Sequence, residues 1–287
     1  MRSCPELVAP IGSLRNKART PTFGYVDVLG VEIAATDLDG AVYAADQWIR
    51  SGGCGYVCVT SVHGVMEAQR DPSFRHILNH GMMNLPDGMP LVWLGRLQGA
   101  EHIDRVFGPD FLTEFCRLSL ARGYRHFLYG GNPGVAEQLK DSLERRFPGI
   151  EIVGTYTPPF RPLDDKEERE VITRIRSSRV DVVWIGLSTP KQERFMAKFA
   201  DKLRVPLLVG VGAAFDFHTG RIRDCSPWIK RSGLQWLHRL LQDPKRLWRR
   251  YLRNNPAFVW KILCQSLRSL RKAIGVRAIE LWRARAL

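Results

Sequence analysis

The sequence predicts an α/β fold, a parallel sheet with helices on both faces, followed by a basic helical appendage. Three observations carry that expectation. Short apolar runs alternate with longer stretches of helical periodicity through most of the chain. Glycine-bearing loops sit where several of those runs end, which is where strands of a parallel sheet present their binding loops. The charge is divided: residues 221–287 hold 17 Lys and Arg against 3 Asp and Glu, while residues 1–220 hold 26 of each, so the whole net charge of +14 lies in the last quarter of the chain. With 45% hydrophobic and 25% charged residues the chain is neither disordered nor low-complexity.

Taken in order, residues 1–25 carry Pro and Arg without periodicity and read as a flexible lead-in. A helix is expected over Gly40–Ser51, with Thr36 and Asp39 as its capping box. That assignment removes Asp37-Leu38-Asp39 from consideration as a metal-binding D-x-D, since acids belong in a first helical turn. Strands are expected at Tyr56–Thr60, His126–Tyr129, Ile150–Val153, Val180–Ile185 and Pro206–Val211. Helices are expected at Pro109–Arg122, Gly134–Phe147, Lys166–Ser177 and Pro190–Leu203.

The loops after these strands are the informative places. His63 lies just past the first strand, though a lone His is more often structural than catalytic. Asp87 stands between Pro86 and Gly88, a setting that suits either a turn or a rigidly held general base. Gly130 and Gly131 follow a strand and open a helix, a place for phosphate or simply a tight turn. In Gly186–Glu193 a capping box of Thr189, Pro190 and Gln192 accounts for those three residues but not for Lys191 or Glu193. The small residues of Gly210–Ala214 imply close approach by a backbone or a ligand.

In the tail, Leu234, Leu237, Leu240 and Leu241 recur at helical spacing. Asp243-Pro244 reads as an N-cap with Pro at the first helical position. On the next helix Arg246, Arg249, Arg250 and Arg253 share one face, with Leu247, Trp248, Tyr251 and Leu252 towards the other and Trp248 expected on the core. Asn254-Asn255-Pro256 is expected to break it, before a last amphipathic basic stretch with Trp260 and Trp282. A tail of this charge calls for an anionic partner: nucleic acid, an acidic membrane surface, or substrate phosphate. The six cysteines form no C-x-x-C pair and no zinc spacing, and read as reduced thiols. No signal peptide is visible, and the longest apolar run, Val205–Phe215, falls well short of the roughly 20 residues that a span needs. The expectation is a cytoplasmic protein that touches the membrane only peripherally.

Several motifs in one order resemble the WecG/TagA/CpsF glycosyltransferase family: Val59-Thr60-Ser61-Val62-His63-Gly64, then Pro86-Asp87-Gly88-Met89-Pro90, Gly130-Gly131, Pro190-Lys191-Gln192-Glu193, and Gly233-Leu234-Gln235-Trp236-Leu237-His238-Arg239. The resemblance runs over about residues 25–255. It implies a Rossmann-like glycosyltransferase core, placed here at 26–225, and an appendage at 226–287 that completes the active site and contacts the membrane. It implies a bacterial enzyme of surface or exopolysaccharide synthesis that moves a sugar, as an N-acetylmannosaminyltransferase does, from a UDP-sugar to a polyprenyl-diphosphate-linked saccharide. Asp87 is then the catalytic base. Arg239, Arg246 and Arg249 neutralise the UDP diphosphate in place of a metal, so neither metal nor cofactor is expected. Thr60, Ser61, His63, Gly130, Gly131, Lys191, Gln192 and Glu193 are the expected substrate-binding residues. Departures from the family pattern are Ser61, where an Asn is common, Cys225-Ser226-Pro227 in place of R-A-P, and Gln235 in place of the Glu of G-L-E-W.

The residues agree on their own terms. Glycosyl transfer needs a base for the acceptor hydroxyl and cations for the departing diphosphate. An unperturbed Asp is ionised above about pH 3.9, and Arg grips phosphate bidentately and keeps its charge. The expected partners are therefore the donor, the lipid-linked acceptor and the anionic inner face of the cell membrane, with no nucleic acid and with homo-oligomerisation left open. The competing reading is a nucleic-acid-binding protein that uses the tail. A nucleotide-dependent oxidoreductase is disfavoured by the missing G-x-G-x-x-G.

Overall fold

The computed structural model describes residues 23–285, with side chains described as far as residue 267. Most of the expected lead-in, and Trp282's side chain, lie outside the described residues. A hairpin of β1 (Tyr25–Val28) and β2 (Val31–Ala34) precedes the main sheet. That sheet contains β3 (Gly55–Thr60), β4 (Met83–Pro86), β5 (Arg125–Gly130), β6 (Glu151–Tyr156), β7 (Val182–Gly186) and β8 (Leu207–Gly210), in the order β4-β3-β8-β7-β5-β6. Every pairing in it is parallel, as the sequence predicts for a Rossmann-like core. All six strands therefore end at one edge. The chain winds outward from β3 to β4, crosses to β5 and β6, and then fills the middle with β7 and β8.

Burial on both faces explains why these strands read as apolar runs. Val57 and Val59 of β3 join one core cluster, and Tyr56 and Cys58 join the other. The first cluster is completed by α1 (Leu38–Arg50), α5 (Gly108–Arg122) and α6 (Val135–Arg146). The second is completed by α2 (Val62–Arg70), α3 (Pro72–His80), α4 (Met89–Leu97), α7 (Asp165–Ser177), α8 (Lys191–Leu203) and the β1–β2 hairpin. The expected strands and helices are all present, within a few residues at each end. Sequence periodicity missed β1, β2, β4, α2, α3 and α4, and in β4 the reason is plain. Its Asn84 is buried and donates to the carbonyls of Glu32 (2.8 Å) and Leu78 (3.0 Å), so a polar residue stands where the strand pattern calls for an apolar one.

Four local expectations need correction. Asp37, not Thr36, caps α1 by accepting from the Gly40 amide at 2.8 Å, while the Thr36 hydroxyl turns to the Asp37 carbonyl. Thr189 is not the cap of α8, which begins at Lys191; its hydroxyl donates instead to Glu193 at 2.8 Å. Cys58, Cys116, Cys225 and Cys264 are free thiols, whereas Cys54 is disulfide-bonded.

The fourth correction concerns the tail. After α9 (Ala214–His218), α10 (Pro227–Arg231) and α11 (Gln235–Gln242), a single helix, α12, runs over Pro244–Arg285 straight through Pro256. An internal Pro costs a helix about 3 kcal/mol. Here burial on both sides of it holds the helix together: Leu247, Asn254 and Phe258 are all buried. The same stripe overturns the expected faces. Leu247 is the buried residue, and Trp248 is 46% exposed.

Pro256 is exposed, so its ring contributes little packing. Pro256→Ala should therefore raise the melting temperature by a few degrees, since it restores a helical hydrogen bond and loses no core contact. A fall in melting temperature would show that the helix depends on the Pro.

Candidate functional site

The loops following β3, β4, β5, β7 and β8 face α11 and α12 across a cleft of about 1370 Å³. Asp87 is placed there by backbone constraints. Its amide donates to the Thr60 carbonyl at 2.9 Å, which ties the end of β4 to the end of β3. Gly88 then turns at φ +135°, a conformation closed to L side chains, and α4 begins. The Asp87 carboxylate keeps 28% of its exposure and lies 3.8 Å from the Arg105 guanidinium. Arg105 is itself nearly buried, lies on the Phe107 ring at 4.3 Å, and donates to Gln235 of α11 at 2.5 Å. Burial pushes the Asp87 carboxyl above the ordinary carboxylate range and Asp110 adds to this, while Arg105 and Arg239 pull it back.

Of the expected arginines, Arg239 and Arg246 line the cleft. Arg249 does not: it is exposed, with its guanidinium over Trp248 at 5.2 Å. Arg250, one residue on, lines the cleft instead. Arg246 is already engaged by Asp243 at 2.6 Å. Arg239 and Arg250 form no ion pair among the described residues, though Arg239 lies over Phe217 at 5.5 Å and feels the charge of Asp87. Burial lowers the pKa of Arg239, yet an arginine stays charged through such a shift.

Ser61 and His63 also line the cleft. Ser61 occupies the N-cap position of α2 but makes no capping bond, so its hydroxyl is not engaged by the helix end. His63 is joined to α12: its Nδ1 is 3.0 Å from the Asn254 amide nitrogen. The Asn254 carbonyl oxygen accepts from Arg70 at 2.5 Å, which leaves its NH₂ to donate to His63. The ring proton therefore sits on Nε2, on the side that bonds the Thr189 backbone. Burial and then Arg250 push the His63 pKa down to about 4, so the ring is neutral at physiological pH.

The remaining predicted residues divide into lining and support. Thr60 is buried, and its hydroxyl donates to Asn84 at 3.4 Å. Gly131 lines the cleft, and its amide donates to the Gly186 carbonyl at 2.9 Å. Gly130 lies beneath it, where a Cβ would come within 2.8 Å of the Gly186 backbone. Lys191 is exposed at the cleft, and Gln192 is buried at its floor. The Gln192 NH₂ donates to Glu193 Oε1 at 3.0 Å, and the carbonyl oxygen of Gln192 has no partner among the described residues. Glu193 is buried behind the wall; burial raises its pKa, against the hydrogen bonds from Thr189 and Gln192.

Sequence reasoning missed Arg105, Arg250 and Asn254. Arg105 lies in an irregular segment that offers no signal. The spacing already puts Arg250 on the face of Arg246, but Arg249 and not Arg250 is read from the family pattern as the site arginine. The arrangement offers one carboxylate that can take a proton, facing guanidiniums that can take an anion.

The chain matches the family model "Glycosyl transferase WecG/TagA/CpsF family" over residues 26–272. It is 32% identical over 197 residues to an N-acetylglucosaminyldiphosphoundecaprenol N-acetyl-beta-D-mannosaminyltransferase of Bacillus spizizenii, covering 69% of this chain and 74% of the relative. It is 27% identical over 186 residues to a Bacillus subtilis protein of the same name, covering 64% of this chain and 70% of that one. The family match takes in the sheet, the cleft and most of α12, and on that ground the chain belongs to the WecG/TagA/CpsF family of glycosyltransferases.

Proposed function

We propose that the protein transfers a sugar from a UDP-sugar to a saccharide carried on polyprenyl diphosphate, in bacterial surface polysaccharide synthesis, while resting peripherally on the inner face of the membrane. The observation that carries this reading is Asp87 set 3.8 Å from Arg105 in a cleft that Arg239 and Arg250 line without an ion pair among the described residues. The names of the two relatives supply the acceptor class and the N-acetylmannosamine donor as the first candidates to test.

In this reaction the acceptor hydroxyl gives its proton to an Asp87 oxygen and its oxygen bonds the anomeric carbon. The bond from that carbon to the UDP oxygen breaks, and the charge passes to the diphosphate. Among the described residues Arg239 and Arg250 have no carboxylate to release before they meet that charge, so they are the first arginines to receive it, and Arg246 must be shared with Asp243. Arg249, outside the cleft, takes no part. Neutral His63 and the Ser61 hydroxyl border the sugar as donors or acceptors rather than as charges.

No helix among the described residues is long and apolar enough to cross a membrane. Residues 268–287 nevertheless carry six Lys and Arg against one Glu. Each cation near an anionic surface is worth about 1 kcal/mol and weakens with salt, which fits this end of the chain to a lipid surface.

Three outcomes test the reading. Asp87→Asn should lower turnover by a factor on the order of 10²–10⁴ with UDP affinity little changed, measured by UDP release and by calorimetric titration. Near-normal turnover would leave Asp87 as a turn residue. Arg105→Gln should move the acid limb of kcat/KM to higher pH, because the cation that holds the Asp87 pKa down is gone and the carboxylate protonates earlier as pH falls. An unmoved limb would separate Arg105 from the base. Truncation after Leu267 keeps the buried Leu247, Asn254 and Phe258, so it should release the protein from anionic vesicles yet preserve transfer to a water-soluble acceptor. Undiminished vesicle binding would place the membrane contact elsewhere.

A further inference from the structure

On α12 the residues facing the cleft change character along the helix. Arg246 and Arg250 come first, then Asn255, then Val259, Ile262 and Leu263. The last three recur at i, i+3 and i+4, so they share one face. On the opposite side of the cleft α4 starts immediately after Asp87 and Gly88 and presents Trp93, Leu94 and Leu97. The end of α4 and the middle of α12 meet again on one residue of the β1–β2 hairpin. Gln98, just beyond α4, accepts from the Asp27 amide at 3.2 Å and donates to its carbonyl at 2.9 Å, and Gln265 of α12 donates to the Asp27 carboxylate at 2.7 Å. The space between them is a trough with apolar walls. It opens at Asp87 and the arginines, closes at Asp27, and is about the length of α4, some 13 Å.

Its walls are not core that happens to be reachable. Leu97 is 83% exposed, and Val259 and Leu263 are each more than half exposed. Large apolar groups on two facing helices left open to water are unfavourable unless something apolar lies between them. The Trp93 ring lies against Gly233, where a Cβ would come within 2.7 Å of it. A ligand that suits both ends of the cleft has an anionic head for the arginines and an apolar chain for the trough.

We infer that the α4–α12 trough binds the first part of the acceptor's polyprenyl chain, seating the diphosphate at the arginines and the saccharide hydroxyl at Asp87. The inference rests on the acceptor class proposed above and adds to it a site for the lipid itself. The rest of the chain leaves through the open side of the trough, between the exposed Leu97 and Val259.

The test uses the full-length protein in detergent and two acceptors that share the same diphosphate saccharide, one on a long polyprenyl chain and one on a short water-soluble chain. Leu97→Asp and Val259→Asp alter exposed positions outside the catalytic cluster. Each should raise KM for the long-chain acceptor on the order of tenfold, the factor expected for losing one well-buried apolar contact, with kcat and the short-chain KM unchanged. Equal effects on both acceptors, or none on either, would overturn the trough. So would a defect seen only on vesicles and absent in detergent, since that would make these residues a bilayer contact. A second readout does not need catalysis: a polyprenyl diphosphate bearing a diazirine on its first isoprene units should crosslink to peptides containing Leu97 or Val259. Crosslinking there without sugar transfer would keep the trough and reject the proposed reaction, whereas transfer with crosslinks elsewhere would do the reverse.

Discussion

The site depends on how α12 is seated, and α12 is seated by one buried amide. Asn254 is 3% exposed, donates to His63 and accepts from Arg70. Leaving such a group unsatisfied costs about 1–3 kcal/mol, so the hydrogen bonds select a single register for the helix on α2. Apolar contacts at Leu247 and Phe258 supply the burial but discriminate poorly between neighbouring registers. Once Asn254 is fixed, helical geometry decides that Arg246 and Arg250 face the cleft and that Arg249 faces solvent. The positions of the cations relative to Asp87 are thus set by a residue that carries no charge.

Desolvation couples the two sides. A carboxylate at the end of a fully buried strand loses hydration, and its pKa rises. Arg105 offsets part of that loss, and Arg105 is itself held by a hydrogen bond to Gln235 and by the Phe107 ring. Since Gln235 belongs to α11, the basic appendage reaches Asp87 by two routes, one through Arg239 and one through the side chain that positions Arg105. An arginine suits this work better than a lysine would, because its charge survives burial and its fork can hold a second partner at the same time.

The sequence makes legible whatever burial repeats. β3, β5, β7 and β8 are readable because both faces of the sheet are covered, and Asp87 is readable because Pro and Gly bracket it. Single polar residues that do the work of apolar ones are not readable by periodicity. Asn84 hides β4. Asn254 turns the buried stripe of α12 away from the face that hydrophobicity alone selects, and this is why Arg249 and Trp248 were placed on the wrong sides. Asn254-Asn255-Pro256 has the composition of a helix stop, but a stop signal expresses local preference only, and buried contacts on both sides of the Pro override it. The caps fail for a related reason: Asp37 and Thr36 are adjacent candidates of similar propensity, and tertiary contacts choose between them, while the Thr189 hydroxyl is drawn off to Glu193.

The floor of the cleft completes the energetic picture. The Gln192 carbonyl oxygen and Glu193 Oε2 are both buried and both without a partner among the described residues. The roof holds Arg239 and Arg250, two cations that form no ion pair among the described residues. Unsatisfied acceptors below and unpaired donors above are each unfavourable in the isolated protein. A two-sided parallel sheet can tolerate them, because its apolar core does not depend on the cleft for stability. Of these groups, Gln192 at the floor and the arginines at the roof line the cleft, and they gain most when a ligand brings a hydroxyl to the one and an anion to the other. Free energy withheld from the empty protein in this way is available on binding, and in the transfer proposed above the part withheld by the arginines would grow as the diphosphate takes on charge. That growth is what distinguishes an interaction that favours the transition state from one that merely binds the substrate.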